Sequence, residues 1–193
     1  MNEYEEKLRT MLSPDRFRHS VGVAQTAVRL AERYNADREK AYLAGILHDA
    51  AKNFSYEEML DKCAEYNIEL DEISKSSKGL MHGPLGAEIV RRDFGVDDEE
   101  VYSCIFFHTT GKPDMTLLEK IIYIADMTEP NRKFEGVEKL RMMTFENLDK
   151  SLLMGFDSTI IHTVQKGELL NSATIHARNS IIKELKGQVY YGK

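Results

Sequence analysis

Apolar residues recur every three or four positions along most of this chain, and its four prolines and twelve glycines fall mainly between the periodic segments. An all-α fold follows. The first long helix has Ser13 as N-cap and Pro14 at the first helical position, with Phe17, Val21, Ala24, Val28 and Ala31 on one stripe. His19, Val23, Thr26 and Leu30 form a second stripe, so this helix is expected to be buried on two sides with His19 facing inward. Ala41 to Leu47 is almost free of polar residues and reads as a core helix ending in His48-Asp49. Ser55 and Glu58 have capping-box spacing and open a third helix. Glu69 to Gly79 is polar and reads as a loop, after which His82-Gly83-Pro84 precedes a helix stopped by Gly95. Another helix starts near Asp98 and carries Val101, Cys104 or Ile105, and His108 on its stripe. Beyond the Gly111-Lys112-Pro113 break, Thr116 and Glu119 repeat the capping-box spacing and open Leu117 to Ala125, with Asp126 at its end. One long helix is expected from about Phe145 to Lys166, and a terminal helix from about Thr174 to Lys186.

A length of 193 residues fits a single domain over 1–193, with a core at about 13–130 and C-terminal helices at about 137–187. The 42% apolar and 30% charged residues support a packed core and exclude disorder as the main state. A net charge of −6 argues against a nucleic-acid partner held by phosphate contacts, so any anionic substrate must be met by local positive charge. No apolar run reaches a membrane span, and the first residues lack a signal-peptide pattern, so a cytoplasmic protein with no membrane partner is expected. Cys63 and Cys104 fit no CxxC spacing and read as buried small hydrophobes rather than a disulfide or thiolate zinc site.

Four of the six histidines, His19, His48, His82 and His108, lie on inward stripes or at helix ends beside apolar residues. One such histidine is ordinarily a satisfied core residue. Four would crowd a core with polar groups that need partners, and a metal centre meets that need by coordinating them. His48-Asp49 is the sharpest feature, because a buried aspartate needs a cation and neighbours some 100° apart on a helix reach one ion only at the helix end. Adding His19 and Asp126 gives two imidazoles and two carboxylates, a set suited to iron, manganese or zinc and poor for copper(I).

This order of residues resembles the HD-domain superfamily of metal-dependent phosphohydrolases, whose pattern is a histidine, a His-Asp pair and a later aspartate. It matches His19, His48-Asp49 and Asp126. Arg18-His19-Ser20, His48-Asp49-Ala50-Ala51-Lys52, Met81-His82-Gly83, His108-Thr109-Thr110-Gly111, Ala125-Asp126 with Glu129-Pro130-Asn131-Arg132, and Thr174 to Asn179 are similar to the bacterial YqeK-type symmetrical diadenosine tetraphosphate hydrolases, over about residues 15 to 180. The resemblance implies an HD-type helical bundle and an iron enzyme that splits diadenosine tetraphosphate into two ADP, with metal-activated water attacking phosphorus. One ion is expected, on His19, His48, Asp49 and Asp126, and a second stays open. Asp49, His82 and His108 are the expected catalytic residues; the two histidines could touch phosphate, protonate the leaving group or hold a second ion, and the resemblance favours phosphate contacts, which is the role expected of them. The resemblance also favours Arg132 as a phosphate clamp, Thr109 as a substrate contact, and Thr174, in helices that complete the nucleotide site, as a nucleotide contact.

Alternatives stand beside these roles. Lys52 either sets an ammonium beside a phosphate or is a solvated lysine in a helix's last turn. Without the resemblance Arg132 reads better as a surface arginine, an order the resemblance reverses, and Asn171 or Thr174 also reads as a plain N-cap. His162 and His176 receive no catalytic role. The binding partner expected is a dinucleoside polyphosphate or ADP, and the Phe145 to Lys166 helix leaves room for a homodimer face. Rival readings are a hydrolase of another nucleotide phosphate ester and a non-catalytic nucleotide sensor.

Overall fold

The computed structural model describes residues 3–191, with side chains described to residue 187. Eleven α-helices and no strand occur among the described residues. After α1 (Glu3–Met11), α2 (Pro14–Tyr34) starts where the Ser13 side chain accepts from the Arg16 N–H, and stops at Asn35, whose left-handed backbone (φ 59°) sends its N–H to the Ala31 carbonyl. Asp37 caps α3 (Arg38–Leu47), and the reciprocal Ser55/Glu58 box opens α4 (Tyr56–Glu65). Then follow α5 (Glu72–Lys75), α6 (Lys78–Asp93), α7 (Glu99–Phe107, capped by Asp98) and α8 (Leu117–Thr128, with the Thr116/Glu119 box). The chain ends in α9 (Val137–Glu146), α10 (Leu148–Gln165) and α11 (Ser172–Tyr191).

The centre of the molecule is α8, buried without interruption from Leu118 to Ala125 and packed on α2, α3, α7, α9 and α10. Burial on most sides explains why apolar residues dominate it, and its two buried charged residues are paired, Glu119 with Lys112 at 3.0 Å and Lys120 with Asp149 at 2.9 Å. Its partners α2 and α3 lie very close together: a Cβ on Gly45 would sit 2.8 Å from the Ala24 Cα. One continuous apolar cluster runs from Leu8 in α1 to Ile181 in α11, with Leu152 and Phe156 of α10 and Ala177 of α11 inside it. At 25 cal/mol per Å² or so, burying each large side chain in that cluster contributes roughly 1.5–3 kcal/mol. No described helix is long and apolar enough to cross a membrane.

The expected elements hold for α2, α4, α7 and α8, and five other features need correction. His82-Gly83-Pro84 lies inside α6 rather than ahead of it. Pro84 forfeits the bond to the Leu80 carbonyl, yet the helix continues because its face from Met81 to Val90 is buried, largely against α7. The Glu69 to Gly79 loop contains the one-turn α5, started by Asp71, and the first residues of α6. Phe145 to Lys166 is not one helix: extended backbone at Asn147 (φ −153°) divides α9 from α10, and its side chain caps α10 through the Lys150 N–H. The last helix begins at Ser172, two residues early, and α1 was absent from the expected set. Both cysteines are buried and free.

Candidate metal centre

Four imidazoles meet where α2, the C-terminal ends of α3 and α7, and the middle of α6 converge. Their rings form an edge-to-face series, with His19 to His48, His48 to His108 and His108 to His82 centroids at 5.3, 5.0 and 4.7 Å. All are buried: His48 and His82 are 0% exposed, His108 3% and His19 8%. Each Nδ1 faces an oxygen acceptor, so it carries the proton and donates. His48 donates to the Gly45 carbonyl at 2.7 Å, His108 to that of Ile105 at 2.7 Å, His82 to that of Lys78 at 3.2 Å, and His19 to Glu129 Oε1 at 3.1 Å. All four Nε2 atoms are thereby left with lone pairs directed at one region.

Asp49 lies between them. Its Oδ2 is 3.9 Å from His19 Nε2 and 3.7 Å from His48 Nε2, while its Oδ1 is 3.2 Å from His82 Nε2 and 3.8 Å from His108 Nε2. Asp126 Oδ1 completes the first side, 2.9 Å from His19 Nε2 and 3.8 Å from His48 Nε2. The donors thus fall into two groups that share Asp49: His19, His48 and Asp126 on one side, His82 and His108 on the other. His48 reaches both groups.

Electrostatics agree with a site that draws positive charge. Burial pushes the His48 and His108 imidazoles down, His108 well below its usual value with help from His82 and His48, so both stay neutral. Burial opposes ionisation of Asp49 and Asp126, yet His48 and its neighbours hold Asp49 well below the carboxylate range, and Arg132 and His19 do so for Asp126. At His19 the Asp126 carboxylate outweighs burial and raises the pKa, marking a pair that attracts a proton or a cation.

The donors fit a divalent ion on three counts. His19 Nε2 and His48 Nε2 are buried without a hydrogen-bond partner, a cost that ligation removes. His82 Nε2 and His108 Nε2 approach to 2.9 Å although neither bears a proton. Two ligand atoms about 2.1 Å from one ion and at right angles to each other would be about 3.0 Å apart. Finally, nitrogen and carboxylate oxygen without thiolate suit iron, manganese or zinc.

The remaining expected residues are distributed around this centre. Lys52 Nζ lies 2.9 Å from His82 Nε2 and 3.5 Å from Asp49 Oδ1, so it belongs to the site rather than to solvent, and burial lowers its pKa. Arg132 is not a free clamp: its Nη2 binds Asp126 Oδ1 and its Nε donates to the Asp126 carbonyl at 2.7 Å. Thr109 follows His108 and has a buried hydroxyl with no hydrogen-bond partner. With Asn171 and Ala173 it lines a cavity of about 110 Å³, and buried Thr174 comes one residue later, in the first turn of α11. Asn171 is the cap there, accepting from the Ala173 N–H at 2.9 Å.

Three residues with no assigned role also shape the site. Arg16 Nη1 is 3.5 Å from Asp49 Oδ2. Glu129, 1% exposed, holds His19 with one oxygen and accepts from the Asn131 N–H and Nδ2 with the other, at 2.7 and 2.9 Å. Gly22 makes room for that carboxylate, since a Cβ there would lie 2.5 Å from Glu129 Oε2. A glycine three residues after His19 was the available signal, but its reason lies 107 positions away in the chain.

The HD domain family matches residues 16–131, a span that contains every donor from His19 to Asp126. A Halalkalibacterium halodurans protein named bis(5'-nucleosyl)-tetraphosphatase, symmetrical, is 40% identical over 91% of this chain and 93% of its own length. A Bacillus subtilis protein of the same name is 40% identical over 83% and 86%. Among solved structures, one from Clostridium acetobutylicum, described as a predicted HD superfamily hydrolase involved in NAD metabolism, superposes with a TM-score of 0.91 at 46% identity, covering 94% of this chain and 96% of that one. Agreement over nearly the full length, together with the convergence of His19, His48-Asp49 and Asp126 in one buried pocket, makes this chain a member of the HD-domain family, in the branch of the symmetrical bis(5'-nucleosyl)-tetraphosphatases.

Proposed function

We propose that this protein hydrolyses diadenosine tetraphosphate symmetrically to two ADP. The observation that carries the reading is the pair of donor groups, His19, His48 and Asp126 beside His48, Asp49 and His108, bordered by Lys52 and Arg132, in a chain so similar to enzymes named for that reaction. Divalent metal, when bound, supplies Lewis acidity and brings the pKa of water down towards neutrality. The chain's own residues do the rest. Buried, neutral His48 and His108 keep their Nε2 lone pairs available, and ionised Asp49 and Asp126 offset the positive charge. Because His108 stays neutral and points at Asp49, we read it as a holder of a second ion rather than a cationic phosphate contact, with His82 Nε2, 2.9 Å from its Nε2 and 3.2 Å from Asp49 Oδ1, beside it on that ion.

Lys52 and Arg132 then meet the tetraphosphate. The Lys52 ammonium faces the interior of the site with its side chain 24% exposed, so it can stabilise charge on the leaving oxygen. The Arg132 fork is spent on Asp126, which leaves Nη1 for a phosphate. Water attacks one inner phosphorus, the bond from that phosphorus to the central bridging oxygen breaks, and each half leaves as ADP. Thr109 and Thr174 are the nucleotide contacts of this reading. Iron is the metal it takes, with manganese and zinc served by the same donors, and the cytoplasm is its location.

Purified protein loaded with iron should give ADP as the sole nucleotide product from diadenosine tetraphosphate and leave NAD intact. ATP plus AMP would overturn the symmetric reading. Retention of full activity by a His48→Ala, Asp49→Ala double variant would remove the reaction from this site.

A further inference from the structure

The backbone that carries Glu129 and Arg132 is itself held from a distance, by Arg141 of α9. Glu129 precedes Pro130, which disfavours helical backbone there, and its φ of −56° and ψ of 153° take the chain out of α8. A turn follows, with Pro130 at its second position and the Arg132 N–H donating to the Glu129 carbonyl at 3.0 Å. It returns the Arg132 guanidinium to the end of α8, where Nε donates to the Asp126 carbonyl at 2.7 Å and Nη2 binds the Asp126 carboxylate. Carbonyls at the end of a helix lack partners within it. Here a single side chain collects three from the helix end and the turn. Arg141 Nε donates to the Thr128 carbonyl at 2.9 Å, and its Nη2 donates to those of Glu129 and Arg132, both at 2.8 Å.

A cation that merely offsets a helix dipole needs only to lie near the C-terminal end. Arg141 does more, because its planar fork touches backbone at Thr128 and Glu129, where the helix is left, and at Arg132, where the turn closes. The separation of those points is thereby fixed. Its remaining partner is Glu138, three residues back on the same helix and 78% exposed, and ion pairs of that kind contribute little. Two side chains leave the gripped turn for the metal-binding residues. Glu129 Oε1 accepts from His19 Nδ1 at 3.1 Å, and Arg132 binds Asp126.

We infer that Arg141 is a positioning residue of the metal centre: by holding three carbonyls of one turn it sets Glu129 against His19 and Arg132 against Asp126 together. Ligands on α2 and α8 are thus registered by one guanidinium on α9. The inference rests on the reading of His19 and Asp126 as metal-binding residues, and it is indifferent to which phosphate ester is cut.

The test compares wild type with Arg141→Lys, Arg141→Met and, as control, Glu138→Gln. Calorimetry of the metal-free proteins gives their unfolding, and competition with a chelator gives their affinity for iron(II) under nitrogen, at a temperature where each is folded. Both Arg141 variants should bind iron roughly 10- to 100-fold more weakly, the loss usual when the support of a ligand is removed, and Glu138→Gln should bind as wild type does. Lysine keeps the positive charge beside the helix end, but its one nitrogen does not span three carbonyls, so it should fall with methionine. Full affinity in Arg141→Lys overturns the inference, because charge alone would then suffice. Full affinity in folded Arg141→Met, or failure of both variants to fold, overturns it by making Arg141 a residue of the fold alone. If only Arg141→Met fails to fold, Arg141→Lys decides. An equal loss in Glu138→Gln also overturns it, by crediting the ion pair. A wild type that binds iron yet makes no ADP from diadenosine tetraphosphate would sink the hydrolase reading and leave this inference standing.

Discussion

Replacing Gly22 by alanine separates the orientation of His19 from the stability of the fold. The new Cβ would lie 2.5 Å from Glu129 Oε2, 3.3 Å from its Cδ and 3.4 Å from Asn131 Nδ2, so the Glu129 carboxylate must move. With it moves the acceptor that sits 3.1 Å from His19 Nδ1. Two terms act on stability with opposite sign. Glycine to alanine inside a helix gains about 1 kcal/mol, and overpacking costs about 1–3 kcal/mol, so the net loss is about 0–2 kcal/mol. At about 2–4 °C per kcal/mol for a chain of this length, Tm should fall by no more than about 8 °C. Metal affinity is affected more strongly, because loss of a carboxylate that orients a ligating histidine typically costs about 10- to 100-fold. Competition with a chelator of known affinity, alongside calorimetric unfolding of the metal-free protein, reads both quantities. A folded Gly22→Ala protein that binds metal as tightly as wild type would refute the orienting role of Glu129. Glu129→Gln gives an independent arm: its single amide oxygen cannot serve both His19 Nδ1 and the two Asn131 donors, so the same affinity loss is expected without any new bulk.

Arg132→Met releases the Asp126 carboxylate from its guanidinium partner and should weaken metal binding by about 10-fold or more; equal metal retention by the variant would argue against that role. For the metal-free protein, pH acts in both directions. His48 and His108 have lowered pKa values in the fold, so below about pH 6.5 the unfolded chain binds protons that the fold does not. His19, raised, contributes stability that is complete below about pH 6.5 and lost as pH climbs through its folded value. The two buried imidazoles outnumber the one, so Tm should drop between pH 7 and 5, and a flat profile would count against their neutrality. Asp49 and Asp126, held low, contribute stability above about pH 3.9 that is lost as pH falls through their folded values, so a second, steeper decline is expected in acid. Phe156→Ala empties a fully buried site against Tyr123, with ring centroids 4.4 Å apart, and should cost about 3–5 kcal/mol, or about 6–20 °C in Tm by differential scanning calorimetry.

Much of this architecture could be read from sequence because its signals are local. Ser13-Pro14, Ser55 with Glu58, and Thr116 with Glu119 mark helix starts through bonds three residues long, and all three are realised. The convergence of His19, His48, Asp49 and Asp126 was legible for a related reason: a histidine on an inward stripe, or a His-Asp pair at a helix end, advertises its direction. Where packing overrides a local rule, sequence misleads. Pro84 reads as a helix start until α7 is seen covering that face of α6, and Asn147 reads as one polar position in a long helix until its side chain is seen capping α10. Partners set by loop path and packing were not legible. Nothing near Arg132 announces that its fork closes on Asp126 six residues earlier, and nothing near Glu129 points to Gly22.

Three of the four imidazoles are latched by carbonyls of their own helices, at Gly45, Lys78 and Ile105. Such latches form as soon as the helices do, so the receptacle is cast before its cargo arrives. Loading is then an exchange at the finished protein, unlike the folding step it constitutes in a zinc finger. A cell starved of the ion would hold a reserve of intact, idle molecules and regain their competence on resupply without new synthesis.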